Sequence, residues 1–280
     1  MKKAKIYQLG VKHWTDQGVA LAEAKQIVAD QAGKSWGTID RALRKVKQKK
    51  VSKKQVVGII ADTHVPYEHP DYLQFCIETF KKHKVNKVVH IGDLIDHHAM
   101  SFHDSEPGLK GAHGERMDAI ERLQPWYDAF PKLTYIRGNH CRIPARQMTK
   151  MGLDPDVYMR PLGDVYGFPK GWESLDSTVI DNVVYHHGEP ATGQNGFRMD
   201  AKNRMMNSVS GHNHSNLGVS YTACDHRMVW GMAVGCGVDV GSLAFAYGKN
   251  FKQKPALGCG IVADNGKTPM VFAMDLGEKW

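Results

Sequence analysis

From position 56 onward, short apolar runs of strand length punctuate the chain, and each ends in polar residues. VVGII at 56–60 leads into Ala61-Asp62-Thr63-His64, and Val88 to Ile91 leads into Gly92-Asp93-Leu94-Ile95-Asp96-His97-His98. LTYI at 133–136 leads into Arg137-Gly138-Asn139-His140, NVVY at 182–185 into His186-His187-Gly188, and SVS at 208–210 into Gly211-His212-Asn213-His214. Short apolar runs bounded by turn residues read as buried strands. Between the first two, Leu73, Phe75-Cys76-Ile77 and Phe80 fall at helical spacing, which predicts a β-α-β unit. A further helix is predicted over Glu115 to Phe130, with Trp126 and Phe130 toward the core. Residues 141–176 have weak periodicity and read as loop and short helix. Two short strands flank the Asp181-Asn182 turn within Val179–Tyr185. Val219–Thr222, Met228–Val234, Gly260–Val262 and Val271–Met274 close the chain as strands, and Asp264-Asn265-Gly266 is a strong hairpin signal. The Gly-rich stretch 235–248 reads as a loop near the sheet edge.

Residues 1–54 follow a helical period instead. Leu21, Ala24 and Val28 recur at that spacing, as do Ile39, Leu43 and Val46, with Gly33 between them and Ser35 placed to cap the second helix. The stretch 28–46, VADQAGKSWGTIDRALRKV, resembles the helix-turn-helix of bacterial and phage regulators. In such motifs the second helix enters the major groove. That resemblance makes Ser35, Trp36, Thr38 and Arg41 candidates for base edges, and Arg44, Lys45 and Lys47 candidates for phosphates. Asp40 and Gly37 count against tight base reading. The competing view is a small helical bundle with solvated lysines. Residues 45–54, KVKQKKVSKK, read as a helix end and a basic linker.

Charge sharpens this division. The chain carries a formal +8, but residues 1–54 hold 14 Lys and Arg against 4 Asp and Glu, a net of +10. The remainder holds 37 − 14 = 23 against 29 − 4 = 25, a net of −2. A basic module on a neutral body suggests an anionic partner, nucleic acid above all and DNA in particular. The two expected domains are therefore residues 1–54 and 55–280. The 5 cysteines are odd in number and form no CxxC, so neither a disulfide framework nor a zinc ribbon is expected. Reduced thiols point to a cytoplasmic setting. The opening MKKAKIYQLG has signal-like charges but no apolar run after them, and no segment is long enough to span a membrane.

The chemistry lies at the strand ends. Any one Asp-x-His or Gly-Asn-His is bland, since such residues form turns and caps. Gly-His-Asn-His alone could suggest a small nuclease finger, but strand-like sequence flanks it on both sides. Five strands that each deliver Asp, Asn or His at the carboxyl end are harder to dismiss, because open α/β sheets place ligands there. Asp62 and His64 are two apart, and an extended chain would turn both to one side. His103 and His113, in the irregular stretch 97–114, are weaker substrate-contact candidates.

The ordered set D-x-H, G-D-x-x-D, G-N-H, H-G, G-H-x-H, over about Val56 to His214, closely resembles the calcineurin-like metallophosphoesterase family. That resemblance implies an α/β (α+β) four-layer αββα sandwich of two mixed sheets, here with a small all-α N-terminal module. It also implies a two-metal centre. Asp62, His64, Asp93 and His214 would hold one ion, and Asp93, Asn139, His187 and His212 the other, with Asp93 bridging. Whether His186 or His187 is the ligand is left open by position, although the Gly following favours His187. Mixed nitrogen and oxygen donors suit manganese, which is favoured, or iron, zinc, cobalt or nickel. In the family a water shared by the ions attacks phosphorus, His140 assists the leaving oxygen, and Asp96 orients His140. Cys141 stands where many members have an acid, and His97-His98 replace the Arg-Gly of the protein phosphatases. The expected activity is phosphodiester hydrolysis of nucleic acid, a nuclease. The alternative is a phosphomonoesterase or cyclic-nucleotide phosphodiesterase with a regulatory N-terminal module.

Overall fold

A computed structural model of the chain describes residues 2–16, 20–41, 55–102, 108–190, 192–242 and 253–277. The chain divides into two compact units, Met1–Lys54 and Gln55–Trp280. In the first unit, helices Lys2–Asp16 and Leu21–Gln31 are followed by helical residues 36–41. Val11, Ala24, Val28, Ala29 and Ile39 form its core. The first helix is not announced by the periodicity. Leu21, expected to face inward, is 54% exposed at the helix start, so the apolar stripe begins at Ala24 instead. Gly33 ends the second helix at φ +58, and Lys34 N–H donates back to Ala29 O at 2.9 Å. Only glycine reaches that conformation at little cost, so the turn is built into the sequence. Leu43, Val46 and the linker 45–54 lie outside the described residues.

The second unit contains eleven described strands: β1 (Val57–Ile60), β2 (Lys87–His90), β3 (Leu133–Ile136), β4 (Trp172–Leu175), β5 (Ser177–Ile180), β6 (Val183–His186), β7 (Asn207–Ser210), β8 (Leu217–Cys224), β9 (Arg227–Val234), β10 (Gly258–Ala263) and β11 (Thr268–Ala273). They form two mixed sheets, ordered β11-β10-β1-β2-β3-β4 and β5-β6-β7-β9-β8. The sheets and their flanking helices make a layered α/β sandwich.

Side-chain alternation decides which layer each strand residue joins. Val57 and Ile59 of β1 pack between the sheets with Val89, Tyr185, Val209 and Met232, whereas Ile60 faces the outer layer with Cys76, Phe80, Leu123 and Trp126 of the helices Tyr72–Lys82 and Ala112–Ala129. The helix Gly196–Arg204 covers the second sheet: a methyl on Gly231 of β9 would meet Phe197 O at 2.1 Å. Two hairpin turns, Asp181-Asn182 and Asp264-Asn265, hold both residues at positive φ, as the matching strand twist requires.

A helix boundary and an unpredicted strand differ from the sequence expectation. The helix predicted from Glu115 begins at Ala112, because Gly111 supplies its cap position. Within 141–176, periodicity predicts no strand, yet β4 pairs parallel with β3 there. It is an edge strand whose only deeply buried residue is Trp172, so no apolar run marks it.

Candidate metal centre

β1, β2 and β3 run parallel in the first sheet, and β6 and β7 run parallel in the second. Their carboxyl ends meet at one edge of the sandwich and deliver Asp62, His64, Asp93, Asp96, Asn139, His140, His187, His212 and His214. The extended-chain expectation for Asp62 and His64 fails. Both sit in the left-handed region, at φ 50 and 52, and so do Asp93, His97 and His212. Such strain is uncommon outside glycine and clusters at functional sites. Two glycines make room for the acids. A methyl on Gly138 would stand 2.1 Å from Asp93 Oδ1, and one on Gly211 would stand 2.4 Å from Asp62 Oδ2.

The donor atoms gather into groups: Asp62, His64 and His214; Asp93, His187 and His212; and a third of His64, Asp96 and His140. The proton positions follow from what each ring touches. His187 Nδ1–H donates to the Ile91 carbonyl at 3.0 Å, which can only accept. Its Nε2 faces Asn139 Oδ1 at 2.8 Å, Asp93 Oδ2 at 3.1 Å and His212 Nδ1 at 3.2 Å. Four polar atoms converge there around one carboxylate, an arrangement that positive charge in their midst stabilises. On the other side, His64 Nδ1–H donates to Asp96 Oδ1 at 2.6 Å, and its Nε2 meets His214 Nε2 at 3.1 Å. Asp62 Oδ1 lies 3.6 Å from His214 Nε2, and Asp93 Oδ2 lies 3.9 Å from His64 Nε2. The 3.1 Å between the His64 and His214 nitrogens is close to the roughly 3.3–3.4 Å at which one tetrahedral ion with ligand bonds near 2.0–2.1 Å would hold two imidazole nitrogens. The donor set thus fits two divalent cations, with Asp93 between the groups.

Electrostatics agree. Burial would raise Asp93, but His187 beside it holds its carboxyl well below the usual range. Burial would lower His187, but Asp93 pushes it up to about 9. In both, the site favours a negative carboxylate opposed by positive charge. His186 does not join: its Nε2 pairs with Asp200 at 2.8 Å, away from the cluster.

His140 is placed differently from the ligands. Its Nδ1–H donates to the Asp96 carbonyl at 2.6 Å and lies 3.2 Å from Asp96 Oδ1, and its backbone N–H donates to Asp93 Oδ1 at 2.9 Å. Burial lowers its pKa, but the Asp96 bond and the Asp93 charge raise it to about 10. Its side chain is 23% accessible, so a protonated Nε2 can face a substrate. Asp96 thus reaches His140, as the family resemblance implies. It also grips His64, and that stronger contact makes it the carboxylate partner of a candidate ligand as well.

Sequence reading missed several supports. Glu115 accepts from the backbone N–H of His98 at 2.8 Å and Ala99 at 2.9 Å, fixing the chain after Asp96. His97 is buried, with Nδ1–H on the His140 carbonyl at 2.8 Å and Nε2 on Tyr166 OH at 2.9 Å. No spacing rule links residues so distant in sequence. Cys141 is buried against Tyr135 OH and brings no acid to the site. His113 is exposed on the helix Ala112–Ala129, and His103 lies outside the described residues.

In the first unit Ser35, Trp36, Thr38 and Arg41 are all exposed. Ser35 Oγ caps Thr38 N–H at 3.3 Å, and Lys25 lies 5.4 Å from the centre of the Trp36 ring. Asp40, a concern for base reading, is buried and paired with Lys25 at 2.7 Å. Arg44, Lys45 and Lys47 lie outside the described residues. Among the described residues no helix is long and apolar enough to cross a membrane.

Residues 56–229 match the family described as calcineurin-like phosphoesterase. No curated protein matches the chain. Vacuolar Protein Sorting 29 from Cryptosporidium parvum is similar at 13% identity and TM-score 0.42, over 81% of this chain and 94% of that one. Yfce, a phosphoesterase from E. coli, is similar at 13% identity and TM-score 0.38, over 79% and 100%. Vps29 complexed with zinc from Entamoeba histolytica is similar at 11% identity and TM-score 0.39, over 81% and 95%.

Proposed function

The chain belongs to the calcineurin-like phosphoesterase family and is a metal-dependent phosphoester hydrolase, and on that premise we propose that it cleaves phosphodiester bonds of nucleic acid, with DNA favoured and manganese as the working metal. Asp62, His64, Asp93 and His214 would hold one ion, and Asp93, Asn139, His187 and His212 the other. When bound, such ions polarise phosphoryl oxygens and lower the pKa of water, which makes a nucleophile available at neutral pH.

The chain's own groups do the rest. Asp93 divides its work: Oδ1 accepts the His140 N–H while Oδ2 faces His187. His140, with Nδ1 occupied by the Asp96 carbonyl, presents Nε2–H and acts as general acid toward the leaving oxygen. Asp96 and the charge of Asp93 keep that proton on the ring at neutral pH.

The choice of nucleic acid is carried by the first unit: a helix, a glycine turn and a second helical segment that exposes Ser35, Trp36, Thr38 and Arg41, within 54 residues of net +10. The exposed face suits a duplex groove, and the basic excess suits phosphates. The test is turnover of labelled single- and double-stranded DNA and RNA with manganese, by the full chain and by residues 55–280. Cleavage that falls on removing residues 1–54, with a small diester unaffected, is the expected result. Good turnover of phosphomonoesters with none of any nucleic acid would refute the reading and favour the monoesterase alternative.

A further inference from the structure

Arg142, Arg146 and Lys150 stand four residues apart and so share one face of the helix Ile143–Lys150, with Arg142 at its N-cap. The helix, IPARQMTK, contains no acid to balance them. Like charges at that spacing destabilise a helix, and a cation at its N-terminus opposes the dipole. Lys150, in the last turn, suits the dipole, but Arg142 at the N-cap and the like-charge spacing do not, so local folding does not account for the stripe as a whole. Its position does. Arg142 follows His140 by two residues and pairs with Glu189, two residues after His187, so it lies at the mouth of the centre. Arg142 commits only one of its donor nitrogens there and keeps others for a ligand. Gln147 Nε2–H donates to the Met100 carbonyl at 2.7 Å, fixing the helix beside the chain that follows Asp96.

The outer two cations are pinned. The Arg146 guanidinium stands 4.7 Å from the centre of the Phe102 ring, and Lys150 Nζ stands 5.6 Å from it. Phe102 is itself 45% exposed. Neither Arg146 nor Lys150 pairs with a carboxylate among the described residues. Cation–π contact holds two long side chains in place, so less freedom is lost when they grip an anion.

We propose that Arg142, Arg146, Lys150 and Phe102 form a phosphate track that holds the backbone of a nucleic-acid strand where it runs out of the metal centre. The inference rests on the nuclease reading above and deepens it, since it gives the catalytic unit its own grip on the polymer. Successive residues of the stripe are about 6 Å apart along the helix axis. A single phosphate would need one converging pocket, whereas a stripe suits a polyanion with repeated charges. The Arg146 plane and the Phe102 ring add flat surfaces on which unpaired bases can stack.

The test uses the full chain with manganese. kcat/KM is measured on a single-stranded oligonucleotide and on bis(p-nitrophenyl) phosphate across a salt series. The variants are Arg146→Gln with Lys150→Gln together, and Phe102→Leu, each checked for native circular dichroism. The double variant should lose at least tenfold more on the oligonucleotide than on the small diester. Its salt slope should become shallower by about 1.4, since each single-strand phosphate contact contributes about 0.7. Phe102→Leu should lose less, in the same direction. Equal losses on both substrates, or an unchanged salt slope, would overturn the track while leaving the nuclease reading intact. A wild-type protein that hydrolyses the small diester but no oligonucleotide would overturn both. A wild-type protein that acts on a phosphopeptide, and loses that activity in the double variant, would assign the stripe to a protein substrate and overturn the track.

Discussion

Gly138→Ala adds one methyl group and should disable the metal centre. The new Cβ would stand 2.1 Å from Asp93 Oδ1, 2.5 Å from Asp93 N and 2.8 Å from Asp93 Cγ. Real Cβ atoms essentially never approach closer than 3.0 Å, so the carboxylate or the loop must yield by about 0.9 Å. Nothing flexible is available to absorb this. Asp93 is fully buried, its Oδ1 accepts the His140 N–H, and its backbone carbonyl accepts the His64 N–H at 2.9 Å. A misplacement of about 1 Å in such a centre costs on the order of 10²-fold in rate. Overpacking a tight site also costs about 1–3 kcal/mol of stability. The assay is kcat/KM on bis(p-nitrophenyl) phosphate together with metal content by mass spectrometry. Gly218→Ala is the control, because a methyl there meets nothing within 4 Å. The expected result is a loss of about 10²-fold or more with reduced metal content for Gly138→Ala, and little change for Gly218→Ala. A Gly138→Ala protein within threefold of wild type and fully loaded with metal would refute the placement of Asp93 in a rigid ligand cluster.

Other outcomes follow from the same geometry. Asp93→Asn should abolish activity on every substrate, because both candidate ions depend on that charge; retention of more than a few per cent would count against a bridge. His140→Ala should keep its metals and lose about 10²–10⁴-fold, with the smallest loss on good leaving groups such as nitrophenol; equal losses across leaving groups would remove its acid role. Chelation should lower the melting temperature as well as the activity. Free metal at about 1,000 times Kd adds about 4 kcal/mol, or about 8–16 °C for a domain of this size, and an unchanged melting temperature would exclude ions in the buried cluster. Asp200 offers a pH test away from the centre. Burial would raise its pKa, but hydrogen bonds from His186 and Arg204 bring it to about 2, below the usual carboxylate range. A depressed carboxyl contributes stability that is present above the unfolded value and lost as pH falls through the folded one. Denaturant titration should therefore find Asp200→Asn destabilised above about pH 4, with the gap to wild type closing as pH falls through about 2; a constant gap across that window would contradict the linkage.

Five strand ends were legible because each strand is short, buried and closed by residues that neither strands nor helices favour. Their convergence was not legible from spacing. It depends on β6 and β7 lying parallel in a second sheet whose carboxyl ends meet the edge formed by β1, β2 and β3. The family resemblance supplied that step. β4 stayed hidden because an edge strand with one deeply buried residue carries little period. The basic stripe of 142–150 was not legible, because weak periodicity over 141–176 gives no helix on which a spacing of four would mean one face. The pairing of Asp96 with His64 was also beyond reach, since the two lie 32 residues apart and no spacing rule links them.

The strained backbone of the candidate centre is held in place by contacts among its loops. Asp62, His64, Asp93, His97 and His212 all have positive φ, and residues held in sparsely populated regions cost of order 1–3 kcal/mol each. Such a cost persists only where the surroundings over-determine the conformation. Here the loops restrain one another. Asp62 N–H donates to the Gly92 carbonyl at 3.1 Å, Val65 N–H to the Leu94 carbonyl at 2.8 Å, and Gly211 N–H to the His187 carbonyl at 2.9 Å. The Asp62 carboxylate accepts the His212 N–H at 3.0 Å from the other sheet, and the Asp93 carboxylate accepts the His140 N–H. The two acids that would hold metal are therefore also the fasteners that hold neighbouring ligand loops. Loop conformation and donor geometry become one cooperative unit, so a defect at one strand end is felt at the others.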